Sequence, residues 1–361
     1  MELIQKEPFF FITLFLTIIL SFFSKPHFTA INWNVISTLF SFMLTCVAFE
    51  RCNLLTSLAG LSLGKFSTPR MLGFAMISVT GLLSMFVTND VALLTVVPLT
   101  LSMSKVSGKD PYILIILETI AANIFSALTP FGNPQNLYLF SYFKLEPLQF
   151  FLIILPFCLI GIAILFAANL LFNSGGKFKT EKIKFEVYEP RLLYSAAVVF
   201  ILNILSVLHV LDYRIALAAT LIIFLIFAPR LILKADYFLL MTFVLFFLFT
   251  DSVTGISMIK SFFSSALNAK YTVLIAATGL SQIISNVPSA VLISGFTENH
   301  KELLYGVSAG GLGTLVASLA SLISYKLYIR QYDASKYIKA FSALNFGALA
   351  IILIFLCLFC I

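Results

Sequence analysis

Residues 129–136 read Thr129-Pro130-Phe131-Gly132-Asn133-Pro134-Gln135-Asn136, in the middle of an apolar stretch running from 112 to 143. A continuous helix does not pass through two prolines and a glycine at this spacing, because each proline removes an amide donor and clashes with the turn before it. Apolar residues resume on both sides, so the pattern predicts a helix that stops inside a long hydrophobic run and starts again. Two other apolar stretches are interrupted by polar residues: 71–103 at Thr88-Asn89-Asp90, and 271–296 at Ser285-Asn286-Val287-Pro288. Their arms read as roughly 10 to 17 residues, most of them short of the ~20 that cross a bilayer as a helix. Short arms around a polar tip predict re-entrant helical hairpins.

Composition sets the solvent. Of 361 residues, 60% are hydrophobic and 11% charged, and the mean hydropathy is +1.03. A soluble chain carries about 25% charged residues, so the class is a polytopic, all-α membrane protein. Uninterrupted spans are expected at 8–24, 31–49, 149–172, 191–208, 213–229, 237–256 and 341–360, beside the broken stretches 112–143 and 302–325. The first is read as a retained span, since no small-residue cleavage site follows it. The five cysteines (Cys46, Cys52, Cys158, Cys357, Cys360) lie in or beside apolar segments and read as small hydrophobes.

The net charge of +7 does not point to nucleic acid, because the basic residues occur as short clusters between spans. If both hairpins return to the side they entered from, 17 of the 23 Lys and Arg share one face and 6 lie on the other. The richer face includes Lys6, Arg51, Lys65, Arg70, Lys105, Lys109, the lysines of 177–184, Lys234 and Lys336. The positive-inside rule makes it cytoplasmic, with the N-terminus inside, the C-terminus outside and a plasma or inner membrane location. The first hairpin then opens from the inside and the second from the outside.

The halves echo each other. Residues 39–64 and 242–268 share a pattern: a span, an acid near its end (Glu50, Asp251), then a shorter amphipathic stretch. A hairpin with an asparagine tip follows in each, Asn89 or Asn286. Then comes a broken span, at 129–134 in one half and Gly310 to Ser321 in the other. Laying 128–137 on 313–322 pairs Thr129 with Thr314 and Asn133 with Ser318. The expected organisation is a first inverted repeat (1–172), a cytoplasmic linker and connecting helix (173–212), and a second inverted repeat (213–361). Interrupted helices at matching positions of inverted halves are the best sequence pointer to a transporter site.

The physical reason is the cost of open backbone in lipid, several kcal/mol for each unsatisfied group. Breaks persist where protein buries them or where they face water and ligand. Unwound carbonyls with Asn, Ser and Thr oxygens can replace a cation's hydration shell. Exposed helix N-termini present amides and partial positive charge to an anion.

At these residues the sequence resembles the ion transporter superfamily, which includes citrate transporters, arsenite permeases, divalent anion–sodium symporters and a class of sodium/proton antiporters. TPFGNPQN (129–136) is similar to the family's Thr-Pro-x-Gly-x-Pro-x-Asn break, and TNDVALLTVVP (88–98) and SNVPSA (285–290) resemble its hairpin tips. The resemblance implies a homodimer with scaffold and transport domains, an elevator-like movement, and a small anionic solute coupled to a cation. It places the ion and substrate positions on Thr88, Asn89, Thr129, Gly132, Asn133, Ser285, Asn286, Thr314 and Ser318, with Asn89, Gly132 and Asn286 as Na+ contacts. The tips depart from the Ser-Asn-Thr triplet of dicarboxylate symporters. The Thr-Asn-Asp tip is closer to the arsenite permease and antiporter branches.

Among single residues, Asp90 is the sharpest candidate. An acid deep in an apolar hairpin marks an ion path or proton relay; the same carboxylate can also cap the second arm. Glu118 either faces the cavity and binds protons or sits at the inner interface. Glu50 and Asp251 read as interfacial residues at span ends. His27, His209 and His300 fall in loops or at span ends. A membrane-embedded enzyme is disfavoured, since H-E-x-x-H does not occur and no histidine falls within a span. An ATP-driven pump would need a partner, because the chain has no Walker motif. The inverted broken-helix plan argues against a passive channel. The expected function is a secondary active transporter moving a small carboxylate or oxyanion with Na+ or H+. The alternative is cation/proton antiport, or an arsenite-type permease, with Asp90 as the exchanging carboxylate.

Overall fold

Leu159, Ile201 and Ile354 point outward, each more than half exposed, while Asn89, Glu118, Asn123 and Asn136 are buried. This inversion of polarity suits a lipid surround, where inward-facing polar groups are the functional ones. The computed structural model describes residues 8–63, 68–107, 109–173 and 186–361, all helix, turn or loop. Lys6, Lys65, Lys177, Lys179, Lys182, Lys184 and most of the expected linker lie outside the described residues.

The chain begins with α1 (Pro8–Ser21), a short 3-10 turn at Phe28–Ala30, α2 (Trp33–Arg51) and the shorter α3 (Leu54–Leu63). The first interrupted stretch forms α4 (Pro69–Val87) and α5 (Asn89–Ser107), separated by Thr88 alone. The first broken span forms α6 (Tyr112–Ser126) and α7 (Pro134–Tyr142), and α8 (Pro147–Phe172) closes the half. Next come α9 (Pro190–Val207), α10 (Tyr213–Phe227) and the single turn α11 (Pro229–Ile232). The second half runs through α12 (Tyr237–Gly255), α13 (Ser257–Ala266), α14 (Thr272–Ile284), α15 (Asn286–Ser294), α16 (His300–Gly310), α17 (Leu319–Tyr328) and α18 (Ala334–Phe359). Six of these helices are long and apolar enough to cross a membrane.

Local chemistry explains the boundaries. Thr68 caps α4 by accepting from the Met71 amide, and Pro69 starts the helix where a missing amide costs nothing. Asn133 does the same for α7, accepting from the Asn136 amide at 3.0 Å ahead of Pro134. Asp236, Asn299 and Asp333 cap α12, α16 and α18.

Two expected boundaries shift. The arms of the first interrupted stretch are 19 residues each, about 28 Å of helix at 1.5 Å per residue. They are longer than expected because Pro69 starts the first arm early and the second continues through Pro98. The short arms are those of the second stretch, at 13 and 9 residues. The second break is narrower than the Gly310–Ser321 expected, since α16 ends at Gly310 and α17 resumes at Leu319.

The order of parts recurs along the chain. Matching positions carry helices of equal length: 19 residues for α2 and α12, 10 for α3 and α13, 26 for α8 and α18. Packing crosses between the halves. α1 lies on α12 and α10 on α2, α5 packs against α17 and α15 against α7, and α6 meets α18 as α16 meets α8. An apolar core containing Ile120, Phe243, Leu304 and Tyr337 runs through both halves, so the two breaks are held against each other.

Candidate functional site

Each interrupted stretch turns on one strained residue. Thr88 has φ 81° and ψ 149°, and Ser285 has φ 78° and ψ 155°. That region is almost reserved for glycine, and a non-glycine residue held there costs about 1–3 kcal/mol. Such strain persists where its surroundings over-determine it, and here the partner break does so.

The amide of Asn89 donates to the Gly132 carbonyl at 3.2 Å, and the amide of Asn286 donates to the Ala317 carbonyl at 3.0 Å. Gly132 and Ala317 each precede the residue at the cap of the next helix, Asn133 and Ser318. The threonines complete the parallel. Thr129 Oγ1 donates to the Met85 carbonyl at 2.7 Å, and Thr314 Oγ1 to the Gln282 carbonyl at 3.0 Å. Met85 and Gln282 both lie three residues before their tips. The pairing of Thr129 with Thr314 and of Asn133 with Ser318 thus agrees with the hydrogen-bond register.

The halves are joined by Asn123, which the sequence did not single out. Its Oδ1 accepts from Asn89 Nδ2 at 3.1 Å and from Ser318 Oγ at 2.9 Å, and its Nδ2 donates to the Gly311 carbonyl at 3.4 Å. One amide therefore touches the first tip and both ends of the second break. Gln282 was missed as well. Its Oε1 accepts from the Thr314 amide at 2.8 Å, and its Nε2 donates to the Gly310 and Leu312 carbonyls. The available signal was an amide side chain within an apolar helix beside a break. The glycines fit tightly around these groups. A Cβ on Gly132 would lie 2.2 Å from the Ser126 carbonyl oxygen, and one on Gly313, at φ 104°, 2.2 Å from Gln282 Oε1.

Asn89, Asp90, Ser285, Asn286 and Ser318 line one cavity of about 90 Å³, room for a few waters or a small ion. Four helices begin on its wall: α5 at Asn89, α15 at Asn286, α7 beside Pro134 and α17 beside Ser318. Each N-terminus carries roughly half a positive charge from its helix dipole, and the first amides of α5 and α15 are already bonded to Gly132 and Ala317. No Lys or Arg lines the cavity. Asp90 is its one acid; the backbone amide of Asp90 bonds to Asn89 Oδ1 at 3.0 Å, while its own Oδ1 is buried without a hydrogen-bond partner. Asp90 and Thr88 also line a larger cavity of about 230 Å³ with Glu50, Lys234 and Asp236, three exposed residues. Thr129, Gly132, Asn133 and Thr314 stand behind this wall as hydrogen-bonding supports and do not line the 90 Å³ space. Among the described residues no cluster of His, Cys, Asp and Glu of metal-site type occurs.

The chain is 35% identical over 303 residues to the uncharacterized transporter MJ0456 of Methanocaldococcus jannaschii, covering 83% of this chain and 82% of that protein. It is 30% identical over 333 residues to the inner membrane protein YbiR of Escherichia coli, covering 90% and 88%. A shorter likeness, 24% over 136 residues, covers 38% of the chain and 24% of the putative transporter arsB of Dictyostelium discoideum. The family model described as citrate transporter (CitMHS) matches residues 8–300, a span that holds both tips and the first break. This multi-pass membrane protein therefore belongs to the citrate transporter family.

Proposed function

We propose that the chain is a secondary active transporter that binds a small carboxylate or oxyanion together with Na+ or H+ at the two tips and carries them by an elevator-like movement. The observation that carries this reading is the convergence of four helix N-termini on one small cavity. In partly buried geometry each N-terminus contributes up to ~2 kcal/mol toward an anion, so the cavity has anion affinity without a basic side chain. The coupling cation fits behind it, among Asn89, Asn286 and the carbonyl of Gly132, whose second lone pair is free to coordinate. Broken helices with this division of labour are the transporter solution to binding ions within a bilayer.

The inverted arrangement of the halves is part of the proposal, and contacts at the helix ends support it. The start of α4 and the end of α5 line one cavity with Asp110 and Asn173. The start of α14 bonds to Glu302 at the start of α16, and Tyr271 reaches Cys357 near the end of α18. The first hairpin opens beside Arg70, Asp110 and Lys336, on the basic and cytoplasmic side. The second opens beside Glu302, on the other. The repeats at 1–172 and 213–361, re-entrant hairpins, homodimer and cell-membrane location with N-terminus inside belong to the same reading.

Asp90 favours a second reading. Its partnerless oxygen is the only formal charge on the cavity wall, which suits cation/proton antiport with Asp90 as the exchanging carboxylate. Purified protein in sealed liposomes, given a Na+ or pH gradient and a panel of small carboxylates and oxyanions, separates the two. Uptake of one labelled anion that collapses with the gradient supports symport. Cation-driven lumenal pH change with no anion dependence supports antiport, and an absence of both removes the site assignment.

A further inference from the structure

A second acid lies deeper in the protein than Asp90. Glu118, in the middle of α6, is 0% exposed. Its Oε1 accepts from Thr100 Oγ1 of α5 at 2.5 Å, and its Oε2 is buried with no hydrogen-bond partner. None of the ion pairs among the described residues includes it. A polar seam thus joins α5 to α6 at Thr100 and Glu118, and the residue beside it, Thr119, donates to Ser324 Oγ of α17 at 2.8 Å as a separate polar contact.

The seam is one hydrogen bond from an opening. Thr100 lines a cavity of about 100 Å³ with Ser104, Lys109, Asp110 and Asn173. That cavity lies where α4 starts, α5 ends and α8 ends. Asp110 there accepts from Tyr328 Oη at 2.9 Å and from Lys336 Nζ at 3.1 Å. Glu118 does not line the tip cavity, nor does Thr100.

An ionised carboxylate at this depth, with one neutral donor and no cation, is far more costly than a neutral acid. The groups packed around it do not offset the charge. α18 brings the phenol of Tyr337, and α17 brings Tyr325 and Tyr328. The single titratable side chain of α8 is Cys158. The charged residues of α4 and α5 are Arg70, Asp90 and Lys105, at or near the helix ends, and those of α17 and α18 are Lys326, Lys336 and Lys339. We propose that Glu118 is a proton-binding site separate from the tip cavity, loaded from the Lys109–Asp110 end through the Thr100 hydroxyl. A hydronium ion in the Lys109–Asp110 cavity gives up one O–H bond to Thr100 Oγ1 as the hydroxyl's own O–H bond breaks and a new one forms on Glu118 Oε1, so the donor becomes water, the hydroxyl is regenerated and the carboxylate becomes the neutral acid.

Such a site fits the bundle mechanically. α6 is the first half of the broken span whose far end carries Asn123, so a charge appearing on Glu118 bears on the helix that holds the first tip and the second break.

The test is infrared difference spectroscopy of the full-length protein in lipid, comparing acid and alkaline pH and H2O against D2O. Wild type should show the carbonyl stretch of a protonated carboxylic acid at neutral pH, and the band should shift in D2O. Glu118→Gln should lose that band, whereas Asp90→Asn should keep it. Thr100→Val, which retains the acid and removes its donor, should move the band to higher frequency and slow its exchange with D2O. This second variant decides the matter should Glu118→Gln fail to fold. A spectrum in which neither Glu118→Gln nor Thr100→Val alters an acid carbonyl band overturns the proposal. So does a Glu118 band that never exchanges, which would make it a sealed structural acid.

Discussion

The amide of Asn286 donates to the carbonyl of Ala317 across 3.0 Å, as the amide of Asn89 donates to Gly132 in the other half. Each tip is thereby sewn by its backbone to the break of its own half, while both asparagines line the cavity and the Asn89 side chain also bonds to Asn123 and to the Asp90 amide. Replacing either side chain leaves this backbone bond intact. Asn89→Ala and Asn286→Ala should therefore fold and express at wild-type levels while transport is lost. A hydrogen bond to a charged ligand contributes about 1.5–3 kcal/mol, so ion affinity should fall by roughly 10- to 100-fold in each. Liposome flux beside a monodispersity check measures both, and normal turnover in either variant would rule out the tips as ligands.

Asn123 behaves differently, because it does not line the cavity and its bonds cross to the other half. Asn123→Ala strands Asn89 Nδ2 and Ser318 Oγ, both on buried residues, and an unpaired buried group costs about 1–3 kcal/mol. The variant should melt several degrees lower in detergent, and its two halves should lose cooperativity. Asn123→Asp keeps the acceptor but loses the donor to Gly311, and should restore part of the melting temperature. Thermal unfolding of the three proteins checks this, and an unchanged melting temperature in Asn123→Ala would show that the bridge does not hold the halves.

Much of this was legible from residues whose chemistry breaks a helix. Pro130, Gly132 and Pro134 place the first break within one or two residues, because a missing amide and a clashing ring act locally whatever the tertiary fold. Thr88 and Ser285 were marked by polarity in an apolar run. The arm lengths of the first stretch were not legible, since Pro69 is tolerated at a helix start and Pro98 on an exposed face inside the helix, and a proline's context is tertiary. Asn123 and Gln282 were hidden for another reason. Each is one polar residue on a helix of correct period, and what makes it central is a partner 195 or 32 positions away in the chain. The convergence of four N-termini was likewise invisible, being a property of packing between halves.

Gly132 and Gly313 should tolerate no side chain. On Gly132 a Cβ meets the carbonyl of Ser126, which is backbone and cannot swing aside. On Gly313 it meets Gln282 Oε1 and demands a φ that L-residues avoid. Overpacking of this kind costs about 1–3 kcal/mol. Gly132→Ala should disrupt the Asn89–Gly132 bond and reduce both thermal stability and flux. Gly279→Ala, where a Cβ meets nothing within 4 Å, serves as the control and should be silent. Equal stability of Gly132→Ala and Gly279→Ala would show that the break relaxes around the added methyl.

Asp90→Asn separates the two transport readings in one substitution. The side chain keeps its shape and the Asp90 amide keeps its bond to Asn89, so the tip should survive. What disappears is the one formal negative charge on a wall that otherwise carries helix N-termini, neutral polar side chains and apolar residues such as Phe246 and Leu322. Removing an acid oxygen that has no partner should raise the stability of the ligand-free protein, the usual trade at a site kept strained for function. In anion symport the charge opposes the anion and attracts the cation. The variant should then bind anion as tightly as wild type or more so, while transport loses its dependence on the cation gradient. In cation/proton antiport nothing remains to exchange, and both flux and cation-induced thermal stabilisation should vanish together. A melting series against Na+, Li+, pH and small oxyanions, run on wild type and Asp90→Asn side by side, reads both outcomes. If the variant kept full cation coupling, the carboxylate would be a cap on α5, and the cation would have to be sought behind it, between Asn286 and the carbonyl of Gly132.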